Sequence, residues 1–438
     1  MGKGNKKVIW AWTFYDWANS VYPLVITTSI FPIFYAVMIE QVGTGPEKDI
    51  VQFFGYKLTG TVLFSYVVAA SLLIVSILSP ILSGIADYAG NKKIFLRFFC
   101  YLGALSTATL YFFDPKNLEW SMASIFFASI GFWNSLVFYN AYLPEIAEKK
   151  DHDKISAKGF SMGYFGASIL LIICLVLLNN FGIFEEPIIE ARDVFILVAI
   201  WWIGFSHVTY FYLPKEKSKH KITKDILLKG FKEISAVWKQ IKLIKALKRY
   251  LYSFFIISMG VQTIMTMAVV FAEDVVFSDT EDKSGLIIAV LIIQFIAIPG
   301  AFMFNVLSSK IGNLKTLTMA SVVWIFACYF AYEYVKTPPL FYVLAGVVGF
   351  VMGGTQALAR STYSKYLPKT EDTASFFSFY DVTEKIAMVI GIFLFGLVED
   401  MTGDITKSIL FLIIVFIGAV IALLFVPKNT ISNKNLHS

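Results

Sequence analysis

Charge is what this chain has least of. Asp, Glu, Lys and Arg make up 16% of its 438 residues, against about 25% in soluble domains, which excludes an ordinary water-soluble globule. The three cysteines, Cys100, Cys174 and Cys328, all fall in apolar runs, so neither a disulfide framework nor a thiolate metal site is implied. Only four histidines are present, scattered, and no H-E-x-x-H spacing occurs. His207 stands alone in its segment, so a membrane-embedded enzyme is disfavoured, and no cofactor or metal is implied. What the chain has in excess is apolar residues, at 57%, with a mean hydropathy of +0.68. That is the composition of a polytopic membrane protein.

Twelve apolar segments of spanning length can be drawn, at 8–39, 57–83, 94–113, 120–146, 157–179, 191–213, 248–272, 284–308, 314–335, 338–366, 374–398 and 405–427. Some exceed the roughly 20 residues a bilayer needs and allow tilt. Met1 to Lys7 is basic, but the apolar run behind it continues to Ile39 without a small-residue cleavage site, so it reads as a first membrane helix and not a signal peptide. Gly2 lacks the Ser or Thr at position 6 that myristoylation requires. The connecting loops alternate in charge. Lys3/Lys6/Lys7, Lys92/Lys93/Arg97, Lys149/Lys150/Lys154, the 214–249 linker, Lys310/Lys315, Lys365/Lys369 and Lys428/Lys434 lie on one side. Glu47/Asp49, Glu185/Glu186/Glu190/Asp193, Glu273/Asp274/Asp279/Glu281/Asp282 and Glu399/Asp400/Asp404 lie on the other. A basic excess marks the cytoplasmic side, which places both termini and the linker there. The expected location is a cytoplasmic (inner) membrane, or a vacuolar membrane in a eukaryote.

The expected organisation is a six-helix bundle over 1–213, a basic amphipathic linker over 214–249, and a second six-helix bundle over 250–438 with a short tail. Between Lys215 and Arg249 stand 12 Lys/Arg and three acids. Leu227, Phe231, Ile234, Trp238, Ile241 and Ile244 recur at three- and four-residue spacing, the pattern of a helix lying on an anionic membrane surface. A plain tether between halves fits as well. The halves echo each other. Asn140-Ala141-Tyr142-Leu143-Pro144 matches Ser364-Lys365-Tyr366-Leu367-Pro368 at an offset of 224, and Ile81 to Lys93 matches Met303 to Lys315 at 222. Parallel halves with a solute site between them are a transporter plan.

The turn Gly84-Ile85-Ala86-Asp87-Tyr88-Ala89-Gly90-Asn91-Lys92-Lys93 resembles the loop signature of the major facilitator superfamily. It keeps the acid (Asp87), the turn glycine (Gly90) and the basic pair (Lys92, Lys93), and departs at Ser83 and Tyr88. In the second half only Gly312 and Lys310/Lys315 survive, with Ser309 at the acidic place. The resemblance implies a conformational gate at Asp87, Gly90, Lys92 and Lys93, in which Asp87 caps the eleventh helix near Thr373 in one state and releases it in another. Five further strings resemble the vacuole-effluxer-like branch of that superfamily: Tyr15-Asp16-Trp17-Ala18-Asn19-Ser20, Phe138-Tyr139-Asn140-Ala141, Gly260-Val261-Gln262-Thr263, Gly353 to Ser361, and Phe376 to Asp381. That branch includes the fungal autophagy-related vacuolar amino-acid exporter. The implied fold is all-α, with twelve transmembrane helices in two pseudo-symmetric bundles, the cavity being lined by the first, fourth, seventh and tenth.

Polar residues punctuate those segments with helical logic. Asp16, Asn19 and Ser20 share a face of the first helix, Gln262 and Thr266 of the seventh, and Gln356, Arg360 and Ser364 of the tenth; Asn134 and Asn140 come from the fourth. Pro23 frees a carbonyl on the first of those faces. Arg360 and Asp381 each lie roughly 9 Å inside their helices, where a charge costs a few kcal/mol or more unless paired or wetted. Asp16, Asn19, Asn140, Gln262, Gln356 and Arg360 are therefore candidate substrate-binding residues. Asp16, Asp381, Glu384 and Lys385 are candidates for proton coupling or charge pairing. Arg360 and Asp381 can equally be a structural pair, and Asp381 can pair locally with Lys385 at i+4, leaving Glu384 as the carboxylate of interest. Gly159, Gly163 and Gly166 read as helix-packing residues.

The expected function is secondary active transport of a small solute by alternating access, a neutral amino acid being favoured, with export and proton coupling. A carrier of another small organic solute or drug, or a transporter-derived solute sensor, are the alternatives. A monomer in a lipid bilayer is expected, with a small-molecule substrate and protons as partners and no nucleic acid.

Overall fold

A computed structural model describes residues 3–44, 49–179, 187–214, 226–278 and 284–427. Glu47, Glu185, Glu186, Asp279, Glu281, Asp282, residues 215–225 of the linker, and Lys428 and Lys434 of the tail lie outside the described residues.

The first apolar run is not one continuous α-helix. α1 (Lys6–Asn19) is capped by Asn5, whose side chain accepts from the N–H groups of Lys7 and Val8. Pro23 has no N–H to give the carbonyl four residues back, and Tyr22–Ile30 is wound as a π-helix before α2 (Phe31–Val42) resumes. The Thr27 and Thr28 hydroxyls both donate to the Pro23 carbonyl, at 2.7 and 2.8 Å. The break in hydrogen bonding at Pro23 thus takes the form of a nine-residue change of winding. A small hairpin follows, β1 (Ile50–Phe53) paired antiparallel with β2 (Tyr56–Thr59). It falls partly where the sequence reading placed the start of the second span. Its turn residues Phe54 and Gly55 have φ of 46° and 84°, the left-handed pair that a two-residue hairpin demands.

The remaining helices are α3 (Gly60–Ala89), α4 (Lys92–Thr109), α5 (Leu118–Ala141), α6 (Leu143–Ile146), α7 (His152–Asn179), α8 (Ala191–Tyr212), α9 (Ile226–Leu243) and α10 (Lys245–Val275). After them come α11 (Ser284–Ile311), α12 (Asn313–Tyr334), α13 (Pro338–Tyr366), α14 (Thr373–Thr402) and α15 (Ile405–Leu424). Among the described residues, eleven spans are long and apolar enough to cross a membrane, α1 through α2 counting as one. α14 is long enough at 30 residues, but Asp381, Glu384, Lys385, Glu399 and Asp400 leave it no sufficiently uncharged window. The long helix set apart by its internal charges is therefore the one carrying the ionic residues singled out above.

By contacts the chain divides into Met1–Glu148 with Lys158–Gly230, and Lys149–Ala157 with Phe231–Ser438. Each unit repeats the other's internal packing. In the first, α3 lies against α5, α4 against α8 and α1 against α8; in the second, α11 lies against α13, α12 against α15 and α10 against α15. The 222-residue repeat has a conformational counterpart. Gly90 closes α3 at φ +71° and Gly312 closes α11 at φ +89°, a left-handed position that glycine takes at no steric cost. In the second unit a Cβ on Gly353 would collide with the Ala297 carbonyl, so α11 and α13 touch backbone to backbone, as small-residue interfaces do in membranes.

The apolar stripe of the linker splits in the structure. Val237 and Ile241 of α9 are buried, whereas Phe231 and Trp238 are exposed. Leu227's side chain lies outside the described residues. α10 begins at Lys245, so the last residues of the 214–249 linker are already the first turn of a spanning helix.

Candidate functional site

In the first unit the ionic centre is Asp16. Its carboxylate Oδ2 accepts a hydrogen bond from the Tyr139 Oη of α5 at 2.6 Å. Tyr139 is held in turn by stacking on Trp12, with ring centroids 4.5 Å apart, while the Trp12 indole donates to the Tyr139 carbonyl at 2.9 Å. One turn along α1, Asn19 Oδ1 faces the Ser20 hydroxyl at 3.5 Å, and its Nδ2 is buried without a partner among the described residues. α7 presses on this face. A Cβ on Gly163 would meet Ser20 Oγ at 2.5 Å and the Asp16 carbonyl at 3.3 Å, so the missing side chain is what brings that helix close to the acid. Asn134 Nδ2 donates to the Ile130 carbonyl of its own helix at 3.0 Å, while its Oδ1 is buried without a partner among the described residues. Asn140 is half-buried at the end of α5.

The signature loop forms a compact ionic cap. Lys92 lies 3.7 Å from Asp87 and also pairs with Glu145 of α6. Lys93 Nζ donates to the Leu213 carbonyl at 2.9 Å, at the C-terminal end of α8 where carbonyls lack helical partners. Gly90 supplies the left-handed turn between them.

In the second unit three ionisable residues of α14 form one node. Lys385 is buried and pairs with Asp381 one turn earlier; Glu384 Oε2 lies 3.6 Å from the same ammonium. Glu384 is the more open of the acids, its side chain 21% exposed, and its Oε1 accepts from Gln262 Nε2 of α10 at 2.9 Å. Four of the sequence candidates therefore meet at one place. The Asp381–Lys385 pair is the local i, i+4 arrangement, with Glu384 reaching a second helix.

Arg360, on α13, is buried and turned to the 149–157 segment. Its Nε donates to Ser156 Oγ at 3.0 Å and its Nη2 to the Ser156 carbonyl, also at 3.0 Å. The Ser156 hydroxyl in turn donates a hydrogen bond to the Ala357 carbonyl at 2.8 Å. One turn earlier in the segment, Asp153 pairs with Lys365 and accepts from Asn313 Nδ2 at 2.7 Å and Ser308 Oγ at 3.2 Å. Lys149 Nζ reaches the Lys365 and Leu367 carbonyls at 3.0 and 2.9 Å. Gln356 is half-buried on α13, and Ser364 Oγ is buried without a partner among the described residues.

The model of the family described as Vacuole effluxer Atg22 like matches residues 4–434. The chain belongs to that family. An uncharacterized MFS-type transporter, YxiO of Bacillus subtilis, is 32% identical over 430 residues, covering 96% of this chain and 95% of its own length. Autophagy-related protein 22 of Yarrowia lipolytica is 23% identical, covering 84% of this chain and 76% of its own. Among solved structures, the proton:xylose symporter XylE superposes with a TM-score of 0.71 at 13% identity, covering 96% and 95% of the two chains. The E. coli fucose:proton symporter FucP superposes at 0.67, also at 13% identity, covering 97% and 98%. These fix the fold as that of the major facilitator transporters: an all-α integral membrane transporter of the vacuole-effluxer-like family, not an enzyme.

Within this family member, sequence reasoning passed over four groups: Tyr139, Ser156, Asp153 and Asn313. Tyr139 had a signal, since it lies inside one of the family strings, next to Asn140. The others had none, because their partners come from more than 150 residues away. The string Gly159-Phe160-Ser161-Met162-Gly163 has the G-x-S-x-G spacing of a nucleophile elbow, also passed over. That motif needs a strand-to-helix turn, and here it is interior to α7. His207 has partners too: the Tyr101 hydroxyl at 3.0 Å and the Ile203 carbonyl at 2.7 Å.

Proposed function

We propose that this transporter carries a small zwitterion, a neutral amino acid, by alternating access, with export as the direction and a proton as the coupling ion. The observation that carries the reading is the α14 node, where two carboxylates contact one buried ammonium. Lys385 is committed to Asp381, so Glu384, partly exposed and oriented by Gln262, is the acid available to a substrate amine or a proton. Asp16, tied to Tyr139, is the corresponding acid of the first unit. Arg360 takes the substrate carboxylate through its guanidinium fork, exchanging its contacts with Ser156 for it. Gln356, Asn19 and Asn140 orient the solute. Asp87, Gly90, Lys92 and Lys93 act as the gate. Export rests on family membership alone.

Reconstituted liposomes, screened with labelled neutral amino acids with and without a pH gradient, test the proposal. Counterflow of at least one amino acid is expected, faster with an opposing proton gradient. Arg360→Ala is expected to abolish flux while the protein stays in the membrane. Normal flux in that variant removes Arg360 from the site; no counterflow of any neutral amino acid by the native chain removes the substrate class.

A further inference from the structure

α9 shows an apolar face that the rest of the described chain leaves largely exposed. Leu228, Phe231, Ser235, Trp238 and Lys242 follow at steps of three and four residues, so they line one side of the helix. Leu228, Phe231 and Trp238 are exposed, the least of them 44%. Lys232, Lys239 and Lys242 are exposed beside them, and Lys242 Nζ sits 5.0 Å over the Trp238 ring. From Ile226 to Arg249 there are seven basic residues and one acid, Glu233. The opposite side, with Val237 and Ile241, is buried. Amphipathic in this sense, α9 is seated on protein by one side and offers apolar and cationic groups together on the other.

Its position selects the partner. A single residue, Ile244, separates α9 from α10, whose first turn holds Lys245, Lys248 and Arg249 and which then crosses the membrane. The end of α9 is therefore within a few residues of the bilayer surface. Exposed Phe, Trp and Leu among lysines, at that depth, match a leaflet of anionic phospholipid: the apolar groups enter the headgroup boundary and the ammonium groups meet phosphate. We infer that the Leu228–Phe231–Trp238 face of α9, with Lys232, Lys239 and Lys242, is a docking surface for anionic phospholipid headgroups of the adjoining leaflet. The Trp238 ring also stacks on Phe379 of α14, centroids 5.4 Å apart and 22° between planes. Phe379 is two residues from Asp381, so lipid seated on α9 bears on the helix that carries the ionic node.

The test uses the full chain in nanodiscs of phosphatidylcholine alone or with phosphatidylglycerol, read by amide hydrogen exchange of 226–243. Phosphatidylglycerol is expected to slow exchange there about a hundredfold, the product of about fivefold for each of the three lysines, and to leave the helices other than α14 unchanged. Replacing Lys232, Lys239 or Lys242 by Gln loses about fivefold of that protection each, and 1 M salt removes it. Phe231→Ser with Trp238→Ser is expected to speed exchange in both lipids, because the apolar contribution is not electrostatic. Equal exchange in the two lipids, or an unchanged lipid effect in the triple Lys→Gln variant, overturns the inference. So does unchanged exchange in the Phe231/Trp238 variant. Glycerol phosphate giving the same protection in phosphatidylcholine discs also overturns it, because the occupant is then a soluble anion.

Discussion

Removing Lys385 isolates the energetics of the α14 node. Its side chain is 1% exposed and that of Asp381 is 6% exposed, so water does little to screen the pair. Taking away one member of a buried ion pair leaves an uncompensated charge and costs about 3–5 kcal/mol, whereas replacing both by neutral groups of similar size is often close to neutral. A lone charge near a membrane-helix centre costs about 2.5–3.5 kcal/mol on insertion scales, in the same range. Lys385→Met is therefore expected to lower the thermal midpoint of the purified protein by about 6–20 °C, taking about 2–4 °C per kcal/mol for a body of this size. Asp381→Asn alone leaves Lys385 with Glu384, 3.6 Å away, and is expected to cost less than Lys385→Met. The double variant should recover most of the loss. Adding Glu384→Gln to Lys385→Met should recover part, since one of two neighbouring carboxylates is then neutral. The assay is a double-mutant cycle on thermal midpoints in detergent, with membrane insertion as a control. If Lys385→Met costs less than about 1 kcal/mol, or the double variant loses the sum of the singles, the residues do not form a buried pair and the reasoning is wrong.

Tyr139→Phe removes the donor to Asp16 and is expected to cost about 1.5–3 kcal/mol, the range for a hydrogen bond to a charged group; Asp16→Asn in the same background should add little if the two act as one unit. Gly353→Ala puts a methyl group into the Ala297 carbonyl and should destabilise by several kcal/mol, while Gly346→Ala, with nothing within 4 Å, should be neutral or stabilising by up to about 1 kcal/mol; equal midpoints for the two variants would contradict the packing of α11 on α13. Outside the spans, Asp404 caps α15 with bonds from the Thr406 hydroxyl and N–H, which hold its carboxyl below the usual range. A depressed folded value means that this cap stabilises above the ordinary aspartate value of about 3.9 and is lost as pH falls through the lower folded value. Exchange of the first amides of α15 should accelerate over that acid window, and Asp404→Asn should flatten the response.

What the sequence determined by itself was everything set by local periodicity. Apolar runs of spanning length must become helices, because no other open structure satisfies its backbone in lipid. The repeat at 222 residues announced the two left-handed glycines, Gly90 and Gly312. The Asp381–Lys385 pair was legible because i, i+4 spacing on one helix fixes the two side chains as neighbours. The family strings named the polar stripes of α1, α10 and α13. The tertiary structure decided the rest. A helix fixes how deep Asp16 or Arg360 lies, but the direction from which a partner arrives depends on how other helices pack around it. Tyr139 reaches Asp16 across 123 residues, Gln262 reaches Glu384 across 122, and Ser156 reaches Arg360 across 204. The π-helical winding after Pro23 and the division of the α9 stripe into a buried and an exposed side are decisions of the same kind. Each depends on which surface the rest of the chain presents, and a linear pattern does not contain that.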